Sequence, residues 1–215
     1  MPGTHHPSRG LRRIELATPD PQPVAEFYAD LLGWILIAEP DGAFTGWVGD
    51  RLATRIHPGD TGTRIVFADT HPRDLHHGAT TDRGRVLHGP WAPPPRPGEP
   101  CWVEHHGPTD DHHWTTELGW TTRDPHAEFT LYDTTGDNPR PVAGRLTTAE
   151  GGWTRYYAVT DTTRTTHTAK QLGGTTLIGP TTVPTGTVAA LTDPAGNTFA
   201  ILENPTGWGG TWANR

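Results

Sequence analysis

An α+β fold built from tandem βαβββ units is what this sequence predicts, and three observations carry the prediction. A strand, a helix and three short strands follow one another up to Ile56. The same order returns about 90 residues further on, and the last repeat closes on a tight turn and a terminal strand.

The first strand is Leu11 to Ala17, where apolar and polar residues alternate as on a half-buried strand. Thr18-Pro19-Asp20-Pro21 follows, a turn that can also cap a helix. Val24, Phe27, Tyr28, Leu31 and Leu32 then recur at helical spacing, and Gly33 supplies the stop. Strand candidates run from Trp34 to Ala38, from Ala43 to Val48 and from Leu52 to Ile56, with Asp41-Gly42 and Gly49-Asp50 as their hairpin turns.

Aligning the chain with itself exposes the repeat. Arg13-Ile14-Glu15-Leu16 matches Trp102-Val103-Glu104-His105, and Leu32-Gly33-Trp34 matches Leu118-Gly119-Trp120. Thr63-Arg64 likewise matches Thr154-Arg155, and Leu87-His88-Gly89-Pro90 matches Leu177-Ile178-Gly179-Pro180. Each half therefore holds two units, beginning near 11 and 63 in the first half and near 101 and 153 in the second. The expected division is an N-terminal half over 11–90, a proline-rich linker over 91–100, a C-terminal half over 101–205 and a Trp/Gly-rich tail over 206–215. The last unit continues through Val188 to Leu191, the turn Asp193-Pro194-Ala195-Gly196-Asn197 and a strand from Thr198 to Leu202. Nothing in the first half matches that continuation, so its second unit is expected to be truncated by two strands, with prolines unsuited to a sheet interior in their place.

Composition narrows the function. The formal charge is −7 and the basic residues are scattered, so the footprint that a phosphate backbone requires is missing and nucleic acid is not an expected partner. No stretch approaches the roughly 20 apolar residues of a membrane span, and no signal-like apolar run follows the polar N-terminus. The single cysteine, Cys101, allows no internal disulfide. A cytoplasmic protein is the expectation. The 13 histidines and 9 tryptophans exceed what a core needs and direct the search to a polar, aromatic pocket.

Several strings resemble the vicinal oxygen chelate superfamily of glyoxalases, bleomycin-resistance proteins and dioxygenases. They are Glu15-Leu16-Ala17-Thr18-Pro19-Asp20, Phe27-Tyr28 through Leu32-Gly33-Trp34, Leu172-Gly173-Gly174, and Asp193-Pro194-Ala195-Gly196-Asn197 before the last strand. The arrangement is most similar to tandem-domain actinobacterial glyoxalase-like proteins. The resemblance implies curved mixed sheets around a cleft, helices on the outer face, and, in metal-using members, His from first strands and Glu from the last. Here those positions read Arg13, Thr63, Trp102, Thr154 and Ala200, none of which holds a divalent ion. No metal and no other cofactor is therefore expected.

Strand parity supplies the other candidates. If Trp102 faces the cleft, so do Glu104 and His106, while Val103 packs under a helix; the equivalents in the first unit are Arg13, Glu15 and Ala17. Glu104 and His106 form either a proton-transfer pair or a polar pair at a strand end, with Glu15 and Arg13 as further catalytic candidates. Trp102, Tyr156, Trp47 and Trp153 read as walls for a planar ligand or as structural aromatics between units, with Thr154 and Ala200 beside them. The pairs His76-His77 and His112-His113 read as surface residues. An unusual metal site from Glu104, His106 and His112 remains an open alternative.

Two functions of different class follow. One is a metal-independent lyase, isomerase or cyclase acting on a hydrophobic, aromatic secondary metabolite, as in antibiotic biosynthesis, with Glu104 and His106 moving a proton and Arg13 steadying an oxyanion. The other is a self-resistance protein that sequesters an antibiotic. A divalent-metal glyoxalase or dioxygenase is the third reading. The truncated unit leaves a sheet edge through which a homodimer could pair.

Overall fold

The computed structural model describes residues 9–90, 95–108, 111–123, 128–136, 139–149 and 151–203. The tail from 206 onward and residues 91–94 of the linker lie outside them. In the first half the order is β1 (Leu11–Thr18), α1 (Pro21–Leu32), β2 (Ile35–Ala38), β3 (Phe44–Val48), β4 (Arg51–Pro58), β5 (Gly62–Asp69), β6 (Arg73–Asp74) and β7 (Ala79–Arg83). In the second it is β8 (Pro100–Gly107), α2 (Asp111–Leu118), β9 (Thr121–Arg123), β10 (Phe129–Asp133), β11 (Pro141–Thr147), β12 (Gly152–Ala158), α3 (Thr162–Gln171), β13 (Thr175–Val183), β14 (Gly186–Thr192) and β15 (Thr198–Glu203).

The strands form two curved mixed sheets, ordered β2-β3-β4-β1-β5-β7-β6 and β13-β14-β15-β12-β8-β11-β10-β9. One rule repeats four times: the first strand of a unit pairs parallel with its last, β1 with β4, β5 with β7, β8 with β11 and β12 with β15. First strands then pair antiparallel at the middle of each sheet, β1 with β5 and β8 with β12. The α+β reading is thus met, and the truncation takes a different form from the one expected. β7 occupies the last-strand position of the second unit, and what that unit lacks is a helix and one strand.

The local chemistry of α1 is the one read from sequence. Pro21 opens the helix, Gly33 ends it at φ 73°, and the Gly33 N–H donates to Ala29 O at 2.8 Å. Trp34, expected to begin a strand, instead caps the core: its indole stacks on Tyr28 at 5.2 Å and donates to Gly98 O at 2.8 Å.

The helices lie between the two sheets, and their buried faces make one shared core. Val24, Phe27 and Tyr28 of α1 pack with Ile14 and Leu16 of β1 and also with Tyr157 and Phe199 of the second sheet. Burying each such side chain contributes about 1.5–3 kcal/mol. A polar chain crosses this core: Arg155 Nη2 donates to Tyr28 Oη at 2.7 Å, and Tyr28 Oη donates to Asp193 Oδ2 at 3.1 Å. The other oxygen of Asp193 accepts the Ala195 and Asn197 backbone N–H groups, so the turn recognised in the sequence is also a joint between the halves. Where the second unit has no helix, tryptophans of the other half cover its sheet. Phe67 of β5 meets Trp120 at 5.1 Å and Trp153 at 5.6 Å, and Trp153 meets Trp114 at 5.0 Å. No helix of the described residues is long and apolar enough to cross a membrane.

Candidate functional site

With helices covering one face of each sheet, alternation sends every second side chain to the opposite, helix-free face. On β8, Val103 belongs to the shared core, whereas Trp102, Glu104 and His106 occupy the helix-free face. The antiparallel register sets Trp102 opposite Tyr156, Glu104 opposite Thr154 and His106 opposite Gly152. Ala200 lies beside Tyr156 on the neighbouring strand. Leu131, Val188 and Leu202 complete an apolar surround.

Glu104 is the centre of this group. Its Oε1 accepts the Trp102 Nε1–H at 3.1 Å, and its Oε2 accepts the Tyr156 O–H at 2.7 Å. Burial, reinforced by the adjacent carboxylate, pushes the Tyr156 phenol far above its ordinary pKa, so it stays a donor. His106 Nε2 stands 3.8 Å from Glu104 Oε2, buried and without a hydrogen-bond partner. The side chains of Glu104 and His106 are 17% and 30% exposed, enough to meet a ligand. Gly144 makes room for the carboxylate: a methyl group there would lie 3.1 Å from Glu104 Cγ and 3.2 Å from the Phe129 ring. Cys101, 1% exposed, donates to Tyr156 O at 3.4 Å, and burial pushes its thiol up, away from nucleophilic use.

The other candidates go elsewhere. Arg13 and Glu15 share the helix-free face of the first sheet, where Arg13 Nη2 holds Glu15 Oε1 at 2.8 Å and Nη1 holds Asp82 Oδ2 at 2.6 Å. Neither bond reaches Glu104, so the expected role of Arg13 beside that carboxylate is corrected. Trp47 stands on the first sheet, its indole donating to Thr45 Oγ1 at 3.0 Å, and does not join Trp102. Trp153 is also corrected. Three residues from Tyr156 on one strand, it points the other way, into the shared core, with Nε1–H donating to His77 O at 2.9 Å. Thr63 pairs with Leu16 and so faces the core rather than the cleft.

A divalent ion, which the resemblance implies, does not fit this face. The row formed by Trp102, Tyr156 and Ala200 offers an indole, a phenol and a methyl group, and the nearby Glu104 is bonded through both oxygens. His112, on α2, is not brought to Glu104 and His106, and no group of three or more His, Cys, Asp or Glu among the described residues could hold a metal.

Comparison with solved structures finds the same fold. The chain resembles the 2,3-dioxygenase LapB from Pseudomonas sp. KL28 with a TM-score of 0.64 at 11% identity, covering 92% of either chain. It resembles the Mn(II)-bound glyoxalase from Novosphingobium aromaticivorans with a TM-score of 0.64 at 15% identity, covering 92% of this chain and 83% of that one. Homoprotocatechuate 2,3-dioxygenase from Arthrobacter globiformis gives 0.63 at 10% identity, with 94% and 82% covered. No curated protein matches. A family model spanning residues 10–201, the repeated parallel pairing of first and last strands and the turn at Asp193 agree, and the chain belongs to the Glyoxalase/Bleomycin resistance protein/Dioxygenase superfamily.

Proposed function

We propose that this protein is a metal-independent enzyme that binds a hydrophobic, oxygenated aromatic metabolite against the helix-free face of the second sheet and moves a proton with His106 and Glu104. The observation that carries this reading is the arrangement at Glu104: two neutral donors fix the carboxylate, and an imidazole nitrogen without a partner stands 3.8 Å away. In that setting Nε2 of His106 faces the carboxylate while the other ring nitrogen, Nδ1, accepts a proton from the ligand, and the imidazolium formed is stabilised by Glu104. Trp102 and Tyr156 supply flat apolar walls. Isomerisation is completed when the imidazolium returns that proton to another carbon, and elimination or ring opening when it passes the proton to the departing oxygen. Antibiotic or other secondary metabolism, a cytoplasmic setting and a small-molecule partner belong to the same proposal.

A generic proton-abstraction probe tests it. With 5-nitrobenzisoxazole, removal of the C3 proton breaks the N–O bond and releases a coloured cyanophenolate, with no metal required. Catalysis above buffer is expected, falling about 100-fold in His106→Ala and in Glu104→Gln. Unchanged turnover in both variants would sink the assignment. A second reading, sequestration without turnover, draws support from the fact that both Glu104 oxygens are already engaged. It predicts saturable binding of 2-naphthol that Trp102→Ala weakens, with no turnover of the benzisoxazole.

A further inference from the structure

A second pocket, of about 300 Å³, opens at the seam between the two halves, on the opposite side of β8 and β12 from Glu104. It lies beside β5, in the unit that has no helix of its own. The first half contributes Thr63 and His77; the second contributes His105, Trp114, Gly152 and Trp153. The rings form a continuous wall: His105 stands 5.2 Å from Trp114 and 5.1 Å from Trp153, and His77 stands 6.2 Å from His105. The chain reaches this geometry through an unusual backbone. His76, His77 and Gly78 take φ of 61°, 46° and 72°, and left-handed conformation is costly for the two histidines. Asp74 Oδ1, accepting the His76 N–H at 3.0 Å, and the Trp153 indole, donating to His77 O, hold the turn.

The electrostatics of the wall choose the occupant. Behind Thr63 lies Arg155, which is 0% exposed and reaches a carboxylate, Asp193, only through the Tyr28 hydroxyl. Its donors reach Thr63 Oγ1 at 2.7 Å, Thr198 O at 2.9 Å and Tyr28 Oη at 2.7 Å. Because Thr63 Oγ1 accepts from the guanidinium, its own proton is left to donate, polarised by a fixed positive charge one bond away. No carboxylate of the described residues lines the pocket, and its ring-bearing wall carries imidazoles that can donate. A volume of this size lies at the small end of ligand pockets, right for one or two fused rings.

We propose that the seam pocket is a second small-molecule site, taking a planar aromatic carboxylate whose ring lies among Trp114, Trp153 and His105 and whose oxygens accept from Thr63 and His77. The site is separate from the Glu104 face and bridges the two halves. Calorimetric titration of the full chain with 2-naphthoate tests it, with 2-naphthamide as the uncharged control. One-to-one binding of 2-naphthoate is expected, and the amide binds at least tenfold more weakly. His77→Ala and Thr63→Val each weaken 2-naphthoate about tenfold, Thr63→Ser keeps most of the affinity, and Glu104→Gln changes nothing. The two weakening variants lie on different segments, so either one decides if the other fails to fold. No binding of 2-naphthoate, equal binding by these variants, or loss on Glu104→Gln would overturn the proposal. So would tight one-to-one binding of Zn²⁺ alone that His77→Ala abolishes, which would make the imidazole cluster a cation site.

Discussion

Glu15 and Glu104 occupy the same place in two copies of one unit, and their surroundings give them opposite uses. Glu15 faces a permanent cation: Arg13 grips it and Asp82 together, Arg12 stands 3.7 Å from Asp82, and the four charges are spent on one another. Glu104 has Trp102 where Glu15 has Arg13, and both of its oxygens accept from neutral donors. The lesson is that a carboxylate on a strand facing away from the helices becomes a site through its neighbour two residues before it. A guanidinium there closes the charge locally, whereas an indole positions the carboxylate and leaves its charge for something else.

The sharpest way to break this contrast is to transplant it. Trp102→Arg gives Glu104 the partner that Glu15 has, and benzisoxazole turnover is expected to fall by about two orders of magnitude, with circular dichroism confirming that the fold is retained. Full activity in that variant would show that the neighbour is not what distinguishes the two faces. A second test separates proton traffic at the site from proton-linked stability. His88 is 2% exposed, its Nε2 lies 2.7 Å from Leu52 O, and burial holds its pKa down at about 4 against 6.5. Between those values the unfolded chain binds more protons than the folded one. Stability present above pH 6.5 is therefore lost as the pH falls toward 4, by up to about 3 kcal/mol. His88→Gln should flatten that slope in urea titrations while leaving turnover at pH 7 unchanged.

Smaller effects sharpen the same comparison. Arg13→Met is expected to cost about 1–2 kcal/mol of stability by leaving Glu15 unpaired and Asp82 with only Arg12, 3.7 Å away, in a partly exposed cluster, with no change in turnover; a large loss of turnover would return Arg13 to the catalytic set. Gly144→Ala should displace Glu104 and Phe129 by a few tenths of an ångström. The expected result is a two- to fivefold drop in turnover with less than about 1 kcal/mol of destabilisation, read by kinetics and thermal unfolding side by side.

What the sequence revealed follows from the range of its signals. Glu104 and His106 were legible because strand alternation is local, and so were the stop at Gly33 and the turn at Asp193, each written in neighbouring residues. The same alternation should have separated Trp153 from Tyr156, since an odd spacing cannot share a face. The ion pair between Arg13 and Asp82 spans 69 residues and had no sequence signal. His77 and His105 were hidden for another reason: each looks like a polar surface residue until the missing helix lets the other half fold over β5. Arg155 was visible only as half of a repeated Thr-Arg pair, and nothing local said that its charge would be fully buried.

That missing helix also limits how the chain can be divided. Phe67 and its sheet have no cover of their own, and the indoles that shelter them come from beyond the proline tract. Producing either side of that tract alone would leave a bare greasy flank, so each copy relies on the other for its cover.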